Sequence, residues 1–458
     1  MTISDTICAL ATAPGGALSI IRVSGPNAFS AVSAICSISC DSAAANTIHY
    51  THIVESVAAP QQQEPTIIDE AMVSIFRAPH SYTGEDSVEI SCHGSRYILN
   101  KVLALLVQNG CRMAGPGEYT MRAYLNGKMD LSQAEAVADL IASTNKATHK
   151  VAMSQLRGHF SSELAALREQ LLKLTSLLEL ELDFSDHEDL EFADRKELNE
   201  LAKNINMHIS KLIHSFEIGQ TLKQGIPVAI IGKTNVGKST LLNQLLKDDR
   251  AIVSDVHGTT RDTIEDTIDI KGITFRFIDT AGIRQTTDEV EKIGISRTYS
   301  AIQKARIILW LIDEEPTNKE TNEIKQQVEN KKVIVLKNKS DLDNNRPFTI
   351  AKFPSISISA KYGTNLEALE SAICDAVDIS TLSDSDVIVT NTRHYEALTR
   401  AQESLTRVIS NLQSQTPGDL IAEDLRQALS ELAEITGEGQ ITPNEVLGNI
   451  FKNFCVGK

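Results

Sequence analysis

A segment in the middle of the sequence carries glycine, lysine and serine at a spacing that suits phosphate binding. The strand-like residues 228–231 lead into Gly232-Lys-Thr-Asn-Val-Gly237-Lys238-Ser239, which fits the pattern G-x-x-x-x-G-K-[ST] between a strand and a helix. In such a loop the glycines let backbone N–H groups approach the phosphates, the lysine reaches the β- and γ-phosphates, and the serine hydroxyl ligates Mg²⁺. We therefore expect Lys238 to bind the phosphates of a nucleotide and Ser239 to bind its metal ion.

Further segments follow in the order that a GTP-hydrolysing protein requires. Gly258-Thr-Thr-Arg-Asp262 supplies Thr260 to the Mg²⁺ shell, and Asp279-Thr-Ala-Gly282 ends a strand beside the metal ion and the γ-phosphate. Asn338-Lys-Ser-Asp341 follows an apolar strand. A carboxylate there accepts hydrogen bonds from N1 and N2 of guanine, a pair of donors that adenine lacks. Ser359-Ala-Lys361 supports the other edge of the base.

These motifs predict a GTP site with Mg²⁺ held by Ser239 and Thr260 and, through water, by Asp279. Lys238 and Arg261 are also predicted to act in catalysis. The full set of predicted nucleotide-binding residues is Asn235, Val236, Gly237, Lys238, Ser239, Thr240, Ser254, Asp255, Val256, His257, Gly258, Thr259, Thr260, Asp279, Thr280, Ala281, Gly282, Asn338, Lys339, Asp341, Ser359, Ala360 and Lys361.

The residue that follows the DxxG motif departs from Ras-like enzymes. Those enzymes position the attacking water with a glutamine at this point, but Ile283 stands here and cannot form a hydrogen bond. The residues that remain to position water on the same segment are Arg284, Asp288, Glu289 and Glu291, and a residue of this kind is more often a solvated helix residue than a catalytic one.

The elements around these motifs change character along the chain. Short β-type runs at 18–23, 71–76 and 88–91 and a helix at 97–108 predict a mixed α/β domain over residues 1–118. Leucines at three- and four-residue spacing in 164–178 predict a helical bundle over 119–217, which residues 379–458 continue. Strands alternating with helices over 218–378 predict a parallel sheet inserted between the two helical halves.

Composition and charge exclude several classes of protein. The chain has 458 residues, 42% hydrophobic and 23% charged, which is typical of a globular protein rather than a disordered one. Its net charge is −16, with −5 in each of 1–118, 119–217 and 379–458, so a basic nucleic-acid-binding domain is not expected. Seven cysteines without paired metal spacing, no leader-like start and no long apolar run predict a reduced, cytoplasmic protein.

Beyond the GTP motifs, two N-terminal blocks and the C-terminus carry a resemblance. The blocks are Tyr82-Thr-Gly-Glu-Asp86 through Cys92-His-Gly94, and Pro116-Gly-Glu-Tyr-Thr120 through Gly127-Lys-Met-Asp-Leu-Ser-Gln-Ala-Glu-Ala136; the chain ends in Phe454-Cys-Val-Gly-Lys458. Together with the GTP motifs, the whole chain resembles the MnmE (TrmE) family of tRNA-modification GTPases.

The resemblance implies a chain that combines α/β domains with an all-α domain. The chain would consist of an N-terminal mixed α/β domain that binds tetrahydrofolate and dimerises, a discontinuous helical-bundle domain, and an inserted Ras-like P-loop GTPase domain. It also implies a homodimer that forms a heterotetramer with an MnmG (GidA)-type FAD protein. That complex adds a carboxymethylaminomethyl or aminomethyl group at C5 of the wobble uridine, U34, of certain tRNAs. The one-carbon unit comes from 5,10-methylene- or 5-formyl-tetrahydrofolate.

The resemblance implies further site residues. A K⁺ ion that replaces an arginine finger would be bound by Asn235, Ser254, Val256 and Thr259, and Glu291 would position the water. Folate would be bound by Arg22, Glu89, Lys128 and Lys458. A carboxylate such as Glu89 suits the 2-amino group and N3–H of a pterin, whereas the basic side chains suit the glutamate tail or a formyl oxygen. Cys455 is a candidate nucleophile or redox-sensitive thiol, or else a small buried apolar residue.

The sequence departs from the family pattern at two places, and two other functions remain possible. The N-terminal turn is shortened to Pro14-Gly15-Gly16, and the phosphate loop carries Lys233-Thr234 where an Arg-Pro or similar pair is usual. The rival functions are a ribosome-assembly or other regulatory GTPase, and a folate-dependent transferase that acts alone with a regulatory GTPase domain.

Overall fold

The computed structural model describes residues 5–55, 66–183, 195–248, 266–278, 301–328, 331–342, 353–377, 387–414, 416, 418–437, 447, 450–452, 454 and 457. The chain divides into two compact units, one made of 1–138, 155–169 and 426–458 and the other of 139–154 and 170–425. The predicted fold class, mixed α/β with many helices, is confirmed. The division into three domains stays a prediction.

The first unit is built around a six-stranded sheet of order β3-β4-β5-β2-β1-β6. Its elements are β1 (Thr6–Leu10), β2 (Leu18–Ser24), α1 (Ala28–Ser33), β3 (Thr47–Glu55), β4 (Thr66–Phe76), β5 (Ser87–His93), α2 (Arg96–Gln108), β6 (Cys111–Met113) and α3 (Glu118–Leu125). β1 and β6 are parallel and the other pairs are antiparallel. Alternate residues of the strands, among them Ile21, Val23, Val73 and Ile90, are buried against α1 and α2 in one hydrophobic core.

Long helices follow the sheet. They are α4 (Leu131–Ala142), α5 (Lys146–Leu156), α6 (His159–Asp183) and α7 (Arg195–Gln224). The leucines that predicted a bundle face lie on α6, and each of them, from Leu164 to Leu178, is at most 2% exposed. Their spacing of three and four residues places them on one stripe of the helix, which is the stripe it buries.

The second unit contains the predicted parallel sheet. Its elements are β7 (Ile226–Ile231), α8 (Lys238–Asp248), β8 (Asp266–Ile270), β9 (Ile273–Phe277), β10 (Ile307–Ile312), α9 (Asn318–Gln327), β11 (Lys332–Lys337), β12 (Ser355–Ser357) and α10 (Leu366–Asp375). The strand order is β12-β11-β10-β7-β9-β8. All neighbours are parallel except β8, which runs antiparallel to β9 at the sheet edge and is an addition to the parallel pattern.

Two helices, α11 (Thr392–Gln413) and α12 (Gly418–Thr436), return to the amphipathic pattern near the C-terminus. α11 packs against α7, where the rings of Phe216 and Tyr395 stack with centroids 4.4 Å apart. Among the described residues, no helix is both long and apolar enough to cross a lipid bilayer.

Five charged residues form a connected network in the first unit. The buried Arg122 guanidinium donates to Asp5 at 2.6 Å, to Glu118 at 3.1 Å and to Glu85 at 3.2 Å. Arg112 donates to Glu118 at 2.6 Å and to Asp5 at 2.7 Å. Burial raises the pKa of Glu118, but the hydrogen bonds from Arg112, the Gly115 N–H and Arg122 outweigh it and hold this pKa below its usual value.

We predict that Arg122→Met destabilises the first unit by about 3–5 kcal/mol, because it leaves Glu85, which is 12% exposed, without a cation and leaves the buried Glu118 with Arg112 alone. Arg112→Met is the matched control. Arg112 is 42% exposed, against 3% for Arg122, and its main partner Glu118 keeps Arg122 after the change. Urea unfolding followed by circular dichroism measures both. Equal losses for the two variants would show that burial of Arg122 does not matter.

Candidate functional site

The phosphate loop occupies residues 232–237, between β7 and α8. Gly232 and Gly237 have φ values of +150° and +106°, and Asn235 adopts the left-handed region with φ of +62°. A Cβ atom on Gly232 would lie 2.3 Å from the carbonyl oxygen of Leu311 on β10. Glycine is therefore required there, and asparagine is among the few residues that adopt the conformation of Asn235 readily.

The predicted phosphate-binding lysine lies inside the curl of this loop. Lys238 Nζ donates to the carbonyl oxygens of Gly232 and Lys233, both at 2.7 Å. Burial of the ammonium group lowers the pKa of Lys238. Lys238, the half-buried Ser239 and the exposed Thr240 form the first turn of α8. The first backbone N–H groups of a helix have no partner within it, and they suit an anion bound at this end.

Asn338 connects the phosphate loop with the segment predicted to support the base. Its Nδ2 donates to the carbonyl oxygen of Val236 at 2.7 Å, and its Oδ1 accepts from the backbone N–H of Ala360 at 2.9 Å. The side chain is buried, and a Cβ atom on Gly237 would lie 2.2 Å from its Nδ2. One amide therefore fixes three of the predicted motifs against each other.

The predicted guanine-binding residues lie beside this amide. One carboxylate oxygen of the exposed Asp341 accepts from the Ser359 hydroxyl at 2.6 Å, so the side chain has a defined orientation. Lys339, with a left-handed φ of +64°, donates to Asp313 at 2.7 Å, and this contact holds the pKa of Asp313 below its ordinary value. Lys361 Nζ lies 5.0 Å from the ring centroid of the exposed Tyr362.

Lys233, which replaces the usual arginine of the loop, has an acidic partner. Its Nζ lies 2.8 Å from Oε1 of Glu320, in the first turn of α9. Glu320 also accepts from the backbone N–H of Thr317 at 2.9 Å, as part of a capping box. Hydrogen bonds from Lys233 and then from Thr317 lower the pKa of Glu320 to about 2. The loop is therefore attached to the start of α9 through an ion pair.

A second cluster contains two of the predicted folate residues. Arg22 on β2 and Glu89 on β5 lie opposite each other in the sheet, and Arg22 Nε donates to Glu89 Oε1 at 2.9 Å. The Arg22 guanidinium lies over two aromatic rings, 5.2 Å from the centroid of Tyr82 and 5.6 Å from that of Tyr119. Tyr119 also donates its hydroxyl to the Arg22 carbonyl oxygen at 2.7 Å.

The other two predicted folate-binding residues are Lys128 and Lys458. Lys128 is exposed, and its Nζ donates to the carbonyl oxygen of Pro79 at 2.9 Å, in the loop that carries Tyr82. The carbonyl oxygen of Gly457 accepts from Arg22 at 3.4 Å, so the C-terminal segment reaches the cluster. Lys458 itself lies outside the described residues.

Several predicted site residues lie outside the part of the chain that the structure describes, and their roles stay predictions. They are Ser254, Asp255, Val256, His257, Gly258, Thr259, Thr260, Arg261, Asp279, Thr280, Ala281, Gly282, Arg284, Asp288, Glu289, Glu291, Cys455 and Lys458.

Some residues of both clusters were not predicted from the sequence. Tyr82 and Tyr119 belong to the two N-terminal blocks that carry the family resemblance, but their contacts with Arg22 join residues far apart in the chain. Asp313 directly follows β10 and contacts Lys339 in one of the predicted nucleotide-binding segments. A carboxylate directly after an apolar strand of a parallel sheet is the one signal that could have indicated it.

The geometry defines the class of the protein first. A phosphate loop between a parallel strand and a helix, joined to an oriented carboxylate after a neighbouring strand, is the arrangement of a GTP-binding protein with a phosphate loop. A family model described as "GTP-binding protein TrmE N-terminus" matches residues 6–128, and one described as "MnmE helical domain" matches residues 131–455.

Curated relatives agree with both models and cover the whole chain. A tRNA modification GTPase MnmE of Phocaeicola vulgatus is 52% identical over 494 residues, with 99% of each chain covered. The MnmE of Bacteroides thetaiotaomicron is 52% identical over 469 residues, again with 99% of each covered. The MnmE of Flavobacterium psychrophilum is 48% identical over 473 residues and all of both chains. The chain belongs to the MnmE family of tRNA modification GTPases.

We predict that Gly237→Ala weakens GDP binding by about 10- to 100-fold. The left-handed backbone becomes strained and the new Cβ displaces Asn338, at a combined cost of about 1.4–2.8 kcal/mol. Titration with a fluorescent guanine nucleotide measures the dissociation constant.

Gly363→Ala is the matched control for backbone strain in the same unit. Gly363 has φ of +71°, and the nearest atom to an added Cβ is the end of the Gln244 side chain at 3.2 Å. We expect GDP affinity within about twofold of the parent chain. A loss equal to that of Gly237→Ala would contradict a specific role for the Asn338 contact.

Proposed function

We propose that this MnmE-family GTPase acts with an MnmG (GidA)-type FAD protein to modify tRNA. The complex adds a carboxymethylaminomethyl or aminomethyl group at C5 of wobble uridine U34, using a one-carbon unit of tetrahydrofolate. One observation carries the proposal beyond the family name: the same chain has a GTP-type phosphate loop and, in its N-terminal domain, the Arg22–Glu89 pair beside two tyrosine rings. The three-domain division, with boundaries near 118, 217 and 378, belongs to this proposal.

In the GTPase step, each proposed residue acts on one part of the nucleotide. Lys238 neutralises the phosphates, and Ser239, Thr260 and Asp279 hold Mg²⁺. The carboxylate oxygen of Asp341 that does not accept from Ser359 recognises guanine. Hydrolysis serves as a conformational switch and not as the modifying chemistry. This assignment is supported by the orientation that Ser359 gives to Asp341, and by the position of Lys238 inside the loop.

A K⁺ ion is proposed to offset the charge that develops on the transferred phosphoryl group. Its ligands would be Asn235 together with Ser254, Val256 and Thr259, and Glu291 would position the attacking water. The described part of this set fits a hard cation, because Asn235 presents an amide side chain from an exposed turn of the loop. A fixed positive charge at this place supplies the stabilisation that an arginine finger gives in other GTPases.

We expect GTP hydrolysis to be at least about tenfold faster in KCl than in NaCl at equal ionic strength, as removal of a transition-state cation raises the barrier by more than about 1.4 kcal/mol. Release of inorganic phosphate measures the rate. Asn235→Gly retains a left-handed backbone but removes the amide oxygen, so the stimulation by K⁺ should be lost. Equal rates of the parent chain in the two salts would rule out this role for K⁺.

The Arg22–Glu89 cluster fits a folate. When bound, the folate supplies the one-carbon unit. The Glu89 carboxylate accepts hydrogen bonds from the 2-amino group and N3–H of the pterin, and Arg22 holds Glu89 in place as its cation. Lys128 and Lys458 supply positive charge for the glutamate tail. Tyr82, which is 36% exposed beside the Arg22 guanidinium, offers an aromatic surface to the pterin ring.

A homodimer is supported by the sheet of the N-terminal domain. Ile48 and Tyr50 on β3 and Ile67 and Met72 on β4 are 64%, 59%, 58% and 43% exposed. Tyr50 lies opposite Met72 in the register, so these side chains form an apolar patch on the solvent face of two adjacent strands. Exposed apolar patches of this kind mark interaction surfaces. We propose that this apolar patch contacts the second copy of the chain. The acidic surface outside the patch would then contact a basic surface of the flavoprotein.

We expect cells that lack this protein to lose the C5 modification of wobble uridine, measured by mass spectrometry of total tRNA nucleosides. A copy with Glu89→Gln should fail to restore it while hydrolysing GTP normally, because an amide cannot accept both pterin hydrogen bonds. Asp41→Asn is the control, since Asp41 is an exposed carboxylate of the N-terminal domain outside both the Arg22–Glu89 cluster and the apolar patch on β3 and β4.

Each alternative outcome points to a different function. If loss of the protein leaves the level of wobble-uridine modification unchanged, the proposal is contradicted and a ribosome-assembly or other regulatory GTPase is favoured. Modification reconstituted from this chain and tRNA without a flavoprotein would favour a transferase that acts alone.

A further inference from the structure

The turn between β8 and β9 contacts the beginning of helix α5. Lys271 and Gly272 form this two-residue turn, with left-handed φ values of +54° and +83°. The Gly272 carbonyl oxygen accepts from the backbone N–H of Ala147 at 3.0 Å. A Cβ atom on Gly272 would lie 2.7 Å from Cβ of Lys146, so the turn packs directly against the first residue of α5.

A second contact joins the same two elements through the buried side chain of Asn145. Its Oδ1 accepts from the backbone N–H of Thr148 at 2.8 Å, and its Nδ2 donates to the Thr274 hydroxyl on β9 at 2.7 Å. Backbone N–H groups in the first turn of a helix have no partner within it, and here Asn145 binds one of them while the hairpin turn binds another. The same amide therefore caps α5 and joins it to β9.

The hairpin of β8 and β9 lies in the sequence between the two predicted switch segments. Residues 258–262 precede β8, and Asp279 follows β9. Thr260 and Asp279, on either side of the hairpin, are the residues proposed to hold Mg²⁺ beside the γ-phosphate. In GTPases, the γ-phosphate and its Mg²⁺ order such segments, and hydrolysis releases them. The nucleotide therefore acts on both ends of a hairpin whose turn contacts α5.

We propose that the hydrogen bond between Asn145 and Thr274 couples the state of the nucleotide to the first turn of α5. Bound GTP fixes both ends of the hairpin, so packing of its turn against α5 loses less conformational entropy than it does with GDP. The contact should therefore form more completely with GTP and loosen after hydrolysis. Because coupling between two sites is reciprocal, an intact contact should in turn favour GTP over GDP.

The two roles of the Asn145 amide can be separated, because Oδ1 caps the helix and Nδ2 contacts the hairpin. Asn145→Ser retains a good N-cap residue, but its shorter side chain does not extend to Thr274. Thr274→Val removes the acceptor and keeps the shape of the side chain. Thr267→Val is the matched control, since Thr267 is an exposed threonine on β8 of the same hairpin.

Hydrogen exchange of the full-length chain measures the coupling in a peptide that covers Ala147 and Thr148. In the parent chain these amides should exchange about fivefold more slowly with Mg²⁺ and GTPγS than with Mg²⁺ and GDP, which is the net effect of about one hydrogen bond. Asn145→Ser and Thr274→Val should exchange equally with both nucleotides, whereas Thr267→Val should keep the parent difference. The affinity for GTPγS relative to GDP should also fall about fivefold in the first two variants, with GDP affinity within about twofold of the parent chain.

The inference rests on the proposed function, because it uses the Mg²⁺ ligands Thr260 and Asp279, and the outcomes separate the two. Equal exchange with the two nucleotides, in a parent chain that binds both, would overturn the inference alone. So would a difference that survives in both Asn145→Ser and Thr274→Val, or one that Thr267→Val also abolishes. A parent chain that does not bind GTPγS with Mg²⁺ would overturn the proposed function, and this inference with it.

Discussion

The nucleotide site depends on the hydrogen bonds of one buried amide. Asn338 donates to the carbonyl oxygen of Val236 in the phosphate loop and accepts from the backbone of Ala360 in the base-supporting segment. Gly237 lies directly beside it, where any side chain would collide with the amide. Because both polar atoms of the amide are used and the residue is 5% exposed, loss of either contact leaves a buried group without a partner. The phosphate loop and the segment predicted to support guanine are therefore mechanically linked.

The surrounding loops reinforce this linkage with charge. Lys233 holds the phosphate loop to the start of α9 through Glu320, and Lys339 holds the segment predicted to bind guanine to Asp313, directly after β10. The lowered pKa values of Glu320 and Asp313 mean that both carboxylates stay ionised as the pH falls toward their folded values. Both pairs are partly exposed, so each contributes orientation more than stability.

The sequence predicts those parts of the molecule that depend on local pattern. Periodicity predicts the strand before the phosphate loop, the leucine stripe of α6 and the helix α2. The spacing of glycines and lysine predicts the phosphate loop itself. Contacts between distant residues do not follow from such patterns. Arg22 meets Glu89 only because β2 and β5 are paired in one register, and Arg122 is buried only because three carboxylates surround it. The strands β1, β3, β6 and β8 were not predicted; β3, β6 and β8 lie at sheet edges, and β1, β6 and β8 have at most five residues each.

Hydrogen exchange tests the linkage through Asn338 most directly. In full-length Asn338→Ala, the peptides that cover the phosphate loop at 232–239 and the segment at 357–361 should both exchange faster than in the parent chain. Peptides from the N-terminal sheet serve as the internal reference and should not change. Faster exchange in both segments is the result that a shared amide requires. Faster exchange in one segment only, or in neither, would contradict the account.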